Sequence, residues 1–198
     1  LEPHLDIPCT CTLQFLVRGS RLHMLTSMRS NDAWLGLPHD IFTFTMVQEL
    51  VARSLGIELG EYKHAVGSLH LYDKDHDKAF WFLSEGWQLR RPMPPMPQGD
   101  PWAAVKSLVA FEKNVRTGHG TSPNPNDTME PYWADLATLL MIHKAGRVQN
   151  NQHDIKRLKR RLHDDVYSMY IKKRYKLTSE KDQLSIFDKQ PTPSKETT

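Results

Sequence analysis

The sequence predicts an α+β protein, in which a small sheet with packed helices is followed by a helical region. Two short runs, at 12–17 and 22–26, alternate between apolar and polar residues in the manner of strands. Apolar residues then recur at helical spacing between 41 and 55, and again in three segments beyond residue 100. A group of strands followed by a run of helices is typical of the α+β class.

The composition limits the class of protein further. With 198 residues, 39% of them hydrophobic, the chain can form one domain with a real core, or one domain plus an appendage. A net charge of +3 does not by itself imply nucleic-acid binding, and no apolar run approaches the ~20 residues of a membrane span. Cys9 and Cys11 are too few for a disulfide framework, and no second pair completes a metal site. Because acidic residues near the start also argue against a secretory signal, we expect a cytoplasmic protein with a reactive thiol and no metal.

The two alternating runs predict a β-hairpin or two adjacent strands. In the first run the odd-numbered positions from 13 to 17 are apolar and share one face, and Gly19-Ser20 supplies a turn to the second run. Gln14 points away from the apolar face, where it is either exposed to solvent or lines a site.

The segment after the hairpin predicts a helix and then a further strand. We expect Asp40, which follows a Gly-Leu-Pro turn, to open a helix that ends at Gly56. Gly60 then begins a turn, and 64–72 is predicted as a strand in which Gly67 marks a bulge.

The second half of the sequence predicts three helices and a tail. Two of the helices open at a proline and end near a glycine. The predicted helices span 101–118, 131–146 and 152–175. Beyond Leu177 the composition is polar and contains proline, which is typical of disorder. The chain is therefore divided into a first region at 1–97, a helical appendage at 98–177 and a disordered tail at 178–198.

The third predicted helix carries five cations on its outer face, between Lys156 and Arg161. Such a run is usually a solvated helix face and is otherwise a docking surface for a nucleic acid or an acidic partner. In the second case we expect an association that weakens with salt.

Several motifs in the first region carry chemically active residues in a fixed order. They are Pro8-Cys9, a strand with Gln14, Arg29-Ser30 with Asp32, Leu35-Gly36-Leu37-Pro38 with Asp40, and His70-Leu71-Tyr72. Together they resemble the C-terminal half of a thymidylate synthase, whose Pro-Cys, Arg-Ser, Leu-Gly-Leu-Pro and His-x-Tyr motifs appear in the same order. The intervals also match: 20 residues from Cys9 to Arg29, 11 from there to Asp40 and 30 more to His70. Weaker similarity continues through the Arg- and Pro-rich segment 90–94.

The resemblance implies a thymidylate synthase-like mixed sheet and a folate-dependent enzyme that acts as a homodimer on a pyrimidine nucleoside monophosphate. The donor is methylenetetrahydrofolate. Cys9 is implied to be the catalytic nucleophile, whose thiolate adds to carbon 6 of the base so that carbon 5 can attack the donor. The residues implied to bind substrate are Gln14, Arg29, Ser30, Asp32, Asp40, His70 and Tyr72.

The roles within that set also follow from the resemblance. Arg29 and Ser30 are implied to hold the phosphate, and Arg29 also lowers the pKa of the thiol. His70 and Tyr72 leave the same face of a strand and bond the 3′-hydroxyl of the sugar. Asp32 faces the folate.

Asp40 is the departure from the family that bears on the substrate. The synthases carry asparagine at this position, whose amide donates to uracil O4 and accepts from N3–H. Cytosine reverses this edge, and a protonated aspartate offers an acceptor for its N4 amino group and a donor for N3. Within the family, aspartate here marks the deoxycytidylate hydroxymethylases and related enzymes. The resemblance thus implies a (deoxy)cytidylate 5-hydroxymethylase or methylase with Asp40 as a catalytic residue. The alternative is that aspartate merely replaces asparagine as the N-cap of a helix, with no change of substrate.

Two further positions differ from the family. Thr10 stands where the synthases usually have histidine, and His39 replaces the usual phenylalanine. Both changes alter the wall around the pyrimidine edge, and neither residue is assigned a catalytic role.

The N-terminal half of the family precedes the Pro-Cys motif. It supplies a glutamate for proton transfers, much of the folate pocket and an arginine lent across the dimer, and none of these occurs in this sequence. The site as given is therefore expected to be incomplete, through truncation, a partner half on a separate chain, or loss of catalysis. The alternative functions are a thymidylate synthase acting on deoxyuridylate and a non-catalytic subunit that binds a nucleotide or a partner.

Overall fold

The computed structural model describes residues 7–86, 91–118, 123–147, 149, 151–168 and 170–171. It confirms the α+β class, because a small mixed sheet and packed helices occur together. The described residues fall into two compact units. The first unit lies within Leu1–Arg90 and Met96–Ala103, and the second lies within Arg91–Pro95 and Ala104–Thr198.

The predicted antiparallel hairpin is formed by β1 (Thr10–Arg18) and β2 (Arg21–Met28). Gly19 and Ser20 both have positive φ, 54° and 59°, as the two-residue turns that match the strand twist require. From Leu22 onward, β2 alternates between buried and half-buried residues, whereas β1 beyond Thr10 is exposed along its whole length. The buried face of the hairpin is therefore supplied by β2.

The third strand of this sheet, β4 (Glu58–Val66), pairs with β2 in parallel, so the strand order is β1-β2-β4. The prediction of a turn at Gly60 is wrong, because Gly60 lies inside β4. The reason is a close approach between strands: a Cβ at Gly60 would lie 2.7 Å from the ring of His23. The Nδ1 of that ring accepts a hydrogen bond from the N–H of Glu61 at 3.1 Å. Gly60 thus marks an irregularity in the pairing of β2 and β4.

The crossover between these parallel strands contains α1 (Gly36–Leu55), which ends at Gly56 as predicted. The prediction that Asp40 opens this helix is wrong. Asp40 is the fifth helical residue, and the N-cap position belongs to Leu35. The side chain that satisfies backbone groups at the helix start is Asp32, which accepts from the N–H of Gly36 at 3.1 Å.

Gln48 anchors α1 to the sheet. Its amide nitrogen donates to the backbone oxygen of Leu22 at 2.8 Å, in a position that is 3% exposed. One turn farther along, Arg53 Nε donates to the carbonyl of Met96 at 3.0 Å, and Glu49 accepts from the N–H of Met96 at 2.9 Å. These bonds satisfy buried polar groups and thereby fix the helix that carries Asp40.

A second, two-stranded sheet pairs β3 (Asn31–Asp32) with β5 (Leu69–His70) in parallel. Because β4 ends at Val66 and β5 joins the other sheet, the predicted strand at 64–72 is divided in two, and Gly67 lies in the break rather than in a bulge. The small sheet brings the end of β2 next to the segment that follows β4.

The last described element of this region before residue 87 is α2 (His76–Ser84). None of its residues is buried, and Phe80, Phe82 and Leu83 each expose more than half of their surface. The core of the first unit includes Leu22, Met24, Met28, Ala52 and Met96. The apolar side chains of α2 therefore add little to that core.

The helical region contains α3 (Trp102–Thr117), α4 (Pro131–Arg147) and α5 (Gln152–Lys159). The predicted starts and ends of the first two helices are confirmed to within one residue. The buried residues of α4 are Tyr132, Trp133, Ala134, Asp135, Ala137, Thr138, Ile142 and Ala145. Phe111 from α3 and Leu158 from α5 join the same packed interior.

The prediction of one continuous helix from 152 is wrong, because α5 ends at Lys159. Asp135 of α4 is 2% exposed, and its carboxylate accepts hydrogen bonds from the N–H of His163 at 2.8 Å and of Asp164 at 2.9 Å. These bonds hold the chain in a non-helical turn after α5. A tertiary contact thus overrides a helical periodicity that continues through the turn.

Parts of the prediction lie outside the described residues. These are the tail at 178–198, the end of the third predicted helix at 172–175 and a part of the loop before α4 at 119–122. Within the described ranges, no helix combines the length and the hydropathy needed to cross a bilayer.

Candidate active site

Arg29 fastens the segment that carries Cys9 to the end of β2. The backbone N–H of Arg29 donates to the carbonyl of Cys9 at 2.9 Å. The guanidinium donates through Nη2 to the carbonyl of Ile7 at 3.1 Å and through Nε to that of Pro8 at 3.4 Å. Cys9 is a half-buried free thiol, whereas Cys11 is exposed. The structure thus brings the predicted nucleophile and the predicted phosphate ligand together.

Ser30, His70 and Tyr72 form a second group at the small sheet. The hydroxyl of Ser30 lies 3.3 Å from Nδ1 of His70, and the rings of His70 and Tyr72 meet edge to face with centroids 4.9 Å apart. The expectation that both rings leave one strand face is corrected, because β5 ends at His70 and Tyr72 lies beyond it. The ammonium of Lys74 lies 5.3 Å above the exposed Tyr72 ring.

The carboxylate of Asp32 binds backbone N–H groups at the start of α1. Its Oδ1 accepts from the N–H of Trp34 at 3.0 Å, and its Oδ2 accepts from those of Leu35 at 2.9 Å and Gly36 at 3.1 Å. Burial by itself raises the pKa of this carboxyl, but the three backbone donors and the nearby His70 outweigh it, so that the pKa is lower than usual. Asp32 is therefore held as a carboxylate.

Asp40 lies on the face of α1 that is turned towards the sheet. It precedes Phe44 and Gln48 at intervals of four residues, and Gln48 is the buried anchor of the helix. The ring of Phe44 lies 6.3 Å from that of His64 on β4. Burial raises the pKa of Tyr62, and the charge of Asp40 adds to the rise, which places that carboxylate near the phenol.

A polar chain beneath Asp40 is not among the residues predicted from the sequence. Nδ2 of Asn31 lies 3.1 Å from Nε2 of His64, and Nδ1 of His64 lies 2.7 Å from the hydroxyl of Tyr62. Because the amide nitrogen of Asn31 can only donate, Nε2 accepts and Nδ1–H donates to Tyr62. The sequence signal for this chain is weak: two polar residues at alternate positions of one strand, and an asparagine 33 residues before His64.

The remaining predicted positions lie apart from these groups. Gln14 is exposed on β1 opposite Leu25, and no hydrogen bond joins it to the other predicted site residues within the described chain. Thr10 begins β1 and is half-buried. His39 is exposed, and its ring nitrogen Nδ1 bonds back to the carbonyl of Leu35. In the described ranges, no group of three or more histidine, cysteine, aspartate or glutamate side chains is placed to hold a metal ion.

Comparison with known proteins points to one family. A family model described as thymidylate synthase matches residues 4–106, which are 103 of the 198 residues. Among solved structures, the chain is similar to the thermostable thymidylate synthase A from Bacillus subtilis, with 34% sequence identity and a TM-score of 0.40. This match covers 43% of the present chain and 31% of the solved one, so the chain spans less than a third of the length of that relative.

Proposed function

The chain belongs to the thymidylate synthase family, and on this premise we propose that the protein transfers a one-carbon unit to carbon 5 of a cytidine monophosphate. Methylenetetrahydrofolate supplies the electrophilic carbon when it is bound. The protein acts as a homodimer, as members of this family do. The residues that support the proposal are Cys9, Arg29, Ser30, Asp32, Asp40, His70 and Tyr72.

The contact between Arg29 and the Cys9 segment supports the nucleophilic role of Cys9. The guanidinium holds the two residues before Cys9 by their carbonyls, so the nucleophile and the phosphate ligand are fixed to each other. Addition of the thiolate to carbon 6 breaks the C5–C6 double bond and makes carbon 5 nucleophilic. Arg29 has five N–H donors, of which two are engaged by backbone carbonyls, so others remain for a phosphate. Ser30, next to it, adds a hydroxyl donor.

The carboxylate of Asp32 has room for one more hydrogen bond, which an N–H group of the folate ring can donate. A carboxylate offers about four acceptor positions, and three of them are taken by the start of α1. The position that remains is on Oδ1. Because the pKa of Asp32 is lowered, this oxygen keeps its negative charge at neutral pH and serves as a hydrogen-bond acceptor.

The observation that carries the cytidylate assignment is the place of Asp40 within α1. An aspartate that only capped the helix would stand at its N-terminus, but that position belongs to Leu35 and the backbone donors there are satisfied by Asp32. Asp40 instead lies on the sheet-facing side, near Tyr62 and one turn before Phe44. Its carboxyl group is thus free of the helix start and can bind the pyrimidine ring of a nucleotide.

The chemistry of cytosine explains why a carboxyl group is useful at this place. One oxygen accepts from the N4 amino group, and the proton on the other is shared with N3, where negative charge builds up after the thiolate adds. Uracil presents a carbonyl oxygen and an N–H at the same two positions. An ionised Asp40 would therefore set one acceptor against another, which disfavours uracil.

The experiment compares equilibrium binding of deoxycytidylate and deoxyuridylate to the wild type, Asp40→Asn and Arg29→Ala. A mismatched buried pair costs ~1–3 kcal/mol, so we expect the wild type to prefer deoxycytidylate by about tenfold to a few hundredfold. Asp40→Asn should shift that preference towards deoxyuridylate. Arg29→Ala should weaken both nucleotides alike, because a phosphate contact carries no information about the base. A wild-type preference for deoxyuridylate would instead favour a thymidylate synthase.

A second experiment tests the nucleophile in the active, complete protein. Cys9→Ser should abolish turnover and leave the fold intact, whereas Cys11→Ser, the matched control two residues away, should retain most of it. The product mass then separates a hydroxymethylase from a methylase, because water or a hydride completes the reaction. Turnover that survives in Cys9→Ser but not in Cys11→Ser would refute the alignment, and nucleotide binding without any turnover would favour a non-catalytic subunit.

A further inference from the structure

The end of α5 and the turn after it form a basic cleft that the active-site chemistry does not use. The cleft has a volume of about 370 Å³ and is lined by Lys156, Lys159, Arg160 and Ser168. Ile155 and Leu158, on the other face of α5, are 9% and 2% exposed. Because these two side chains anchor the helix in the core, the cations of the cleft are presented from a fixed backbone.

Four of the five cations between 156 and 161 divide into two kinds. Arg157 is paired with Asp154 at 2.9 Å, and Nη1 of Arg161 is directed at the side-chain oxygen of Asn124 at 3.4 Å. Lys159 and Arg160 form no ion pair or side-chain hydrogen bond with any described residue. Among the described residues, two neighbouring positive charges are therefore uncompensated, and both line the cleft.

The nearby carboxylates of the turn have other partners. Asp164 accepts from the N–H of Val166 at 2.8 Å, and Asp165 lies 3.6 Å from Arg91. Neither carboxylate forms an ion pair with Arg160. Ser168 adds a hydroxyl to the same cleft, and that hydroxyl makes no hydrogen bond to another described residue.

We propose that this cleft is a binding site for the phosphate or diphosphate group of a small phosphorylated molecule. A guanidinium offers two parallel donors to phosphate oxygens, ammonium groups add charge, and a serine hydroxyl adds a neutral donor. The volume is within the range of small-molecule sites, and three cations line this one concavity. A small ligand therefore fits this arrangement better than a nucleic-acid backbone, which needs an extended basic path.

The proposal does not depend on the one-carbon transfer chemistry, because all of its residues lie in the helical unit and outside the family match at 4–106. The probe is inorganic pyrophosphate, titrated calorimetrically into the full chain at low and at high salt. The first variant is the double substitution Lys159→Ala/Arg160→Ala. Its matched control is Lys113→Ala/Arg147→Ala, which also removes one lysine and one arginine, both exposed and away from the cleft.

We expect saturable binding of one pyrophosphate per chain that weakens with salt and that falls at least tenfold in Lys159→Ala/Arg160→Ala. Binding should be unchanged within about twofold in the control double variant. Equal weakening in both double variants would overturn the proposal. A twelve-nucleotide single strand serves as a second probe. If it binds ten times more tightly than pyrophosphate, and its binding also depends on Lys159 and Arg160, the cleft is a nucleic-acid surface and the proposal of a small-molecule site is wrong.

Discussion

The two units of this chain bury apolar side chains to very different extents. In the helical unit, Trp133 is 4% exposed and Leu158 is 2% exposed, inside a packed interior of several helices. In the first unit, α2 buries none of its residues, and Phe82 is 53% exposed. Large exposed apolar side chains on one element are typical of a surface that meets another surface. The helical unit therefore buries its large apolar side chains within its own core, whereas α2 of the first unit leaves them on the surface.

The largest expected effect tests this difference directly. Trp133→Ala should lower the free energy of unfolding by about 3–5 kcal/mol, because it removes a buried aromatic side chain and leaves a cavity. Phe82→Ala, the matched aromatic truncation in the first unit, should cost less than about 0.5 kcal/mol in the isolated chain. Both values come from urea unfolding. Equal losses would show that α2 is packed in solution and would remove the contrast.

The second expected effect compares two aspartates that both hold backbone N–H groups. Asp135→Ala should cost about 2–3 kcal/mol, since it removes a carboxylate that is 2% exposed and takes away the partner of the half-buried donors at 163 and 164. Asp32→Ala should cost only about 1 kcal/mol, in the manner of a lost helix cap, because water reaches the donors it releases. Urea unfolding of the two variants gives the comparison. A larger loss for Asp32 than for Asp135 would mean that the first unit relies on polar anchoring more than its exposure suggests.

The third expected effect is a pH dependence of the first unit. The folded-state pKa of Asp32 is lower than the usual value of 3.8, so its contribution to stability is complete above that value and is lost as the pH falls through the folded-state pKa. The stability difference between the wild type and Asp32→Asn should therefore shrink as the pH is lowered below about 4. A difference that stays constant between pH 7 and pH 2 would contradict the assignment of Asp32 as a carboxylate.

Local backbone signals in the sequence predict the structure well, whereas positions that depend on contacts with distant residues are predicted wrongly. The hairpin and the end of α1 are confirmed because Gly19-Ser20 and Gly56 act through their own backbone. Asp40 is misplaced as a helix opener because a side chain eight residues earlier, Asp32, takes over the start of the helix. Gly60 is misassigned because its neighbour, His23, lies on another strand.

The candidate site divides in the same manner. Its motif residues could be predicted, since Cys9, Arg29 and His70 lie at intervals that a single family pattern preserves. The hydrogen bonds that link Asn31, His64 and Tyr62 could not be predicted, because they join residues that are far apart in sequence and belong to no motif. Polar groups that join distant segments are thus less visible in the sequence than residues of a known motif.

The smallest expected effect lies in the helical unit and appears in alkali. Burial, together with the charges of Asp135 and Asp164, raises the pKa of Tyr167 to about 12. Stability from this group is complete below pH 10, near the ordinary tyrosine value, and is lost as the pH rises towards 12. The difference in absorbance at the phenolate band between the wild type and Tyr167→Phe should titrate near 12. Titration of that difference near 10 would show an exposed phenol.

The parallel pairing of β3 with β5 has a consequence for the order of folding events. The β1–β2 hairpin is local and can close within microseconds, whereas β5 can reach β3 only after α1 and β4 have crossed over. Ser30 and His70, 40 residues apart, therefore meet late. In a refolding experiment, the proposed binding of a nucleotide should appear only with the step that completes the crossover, after most of the strand signal has already formed.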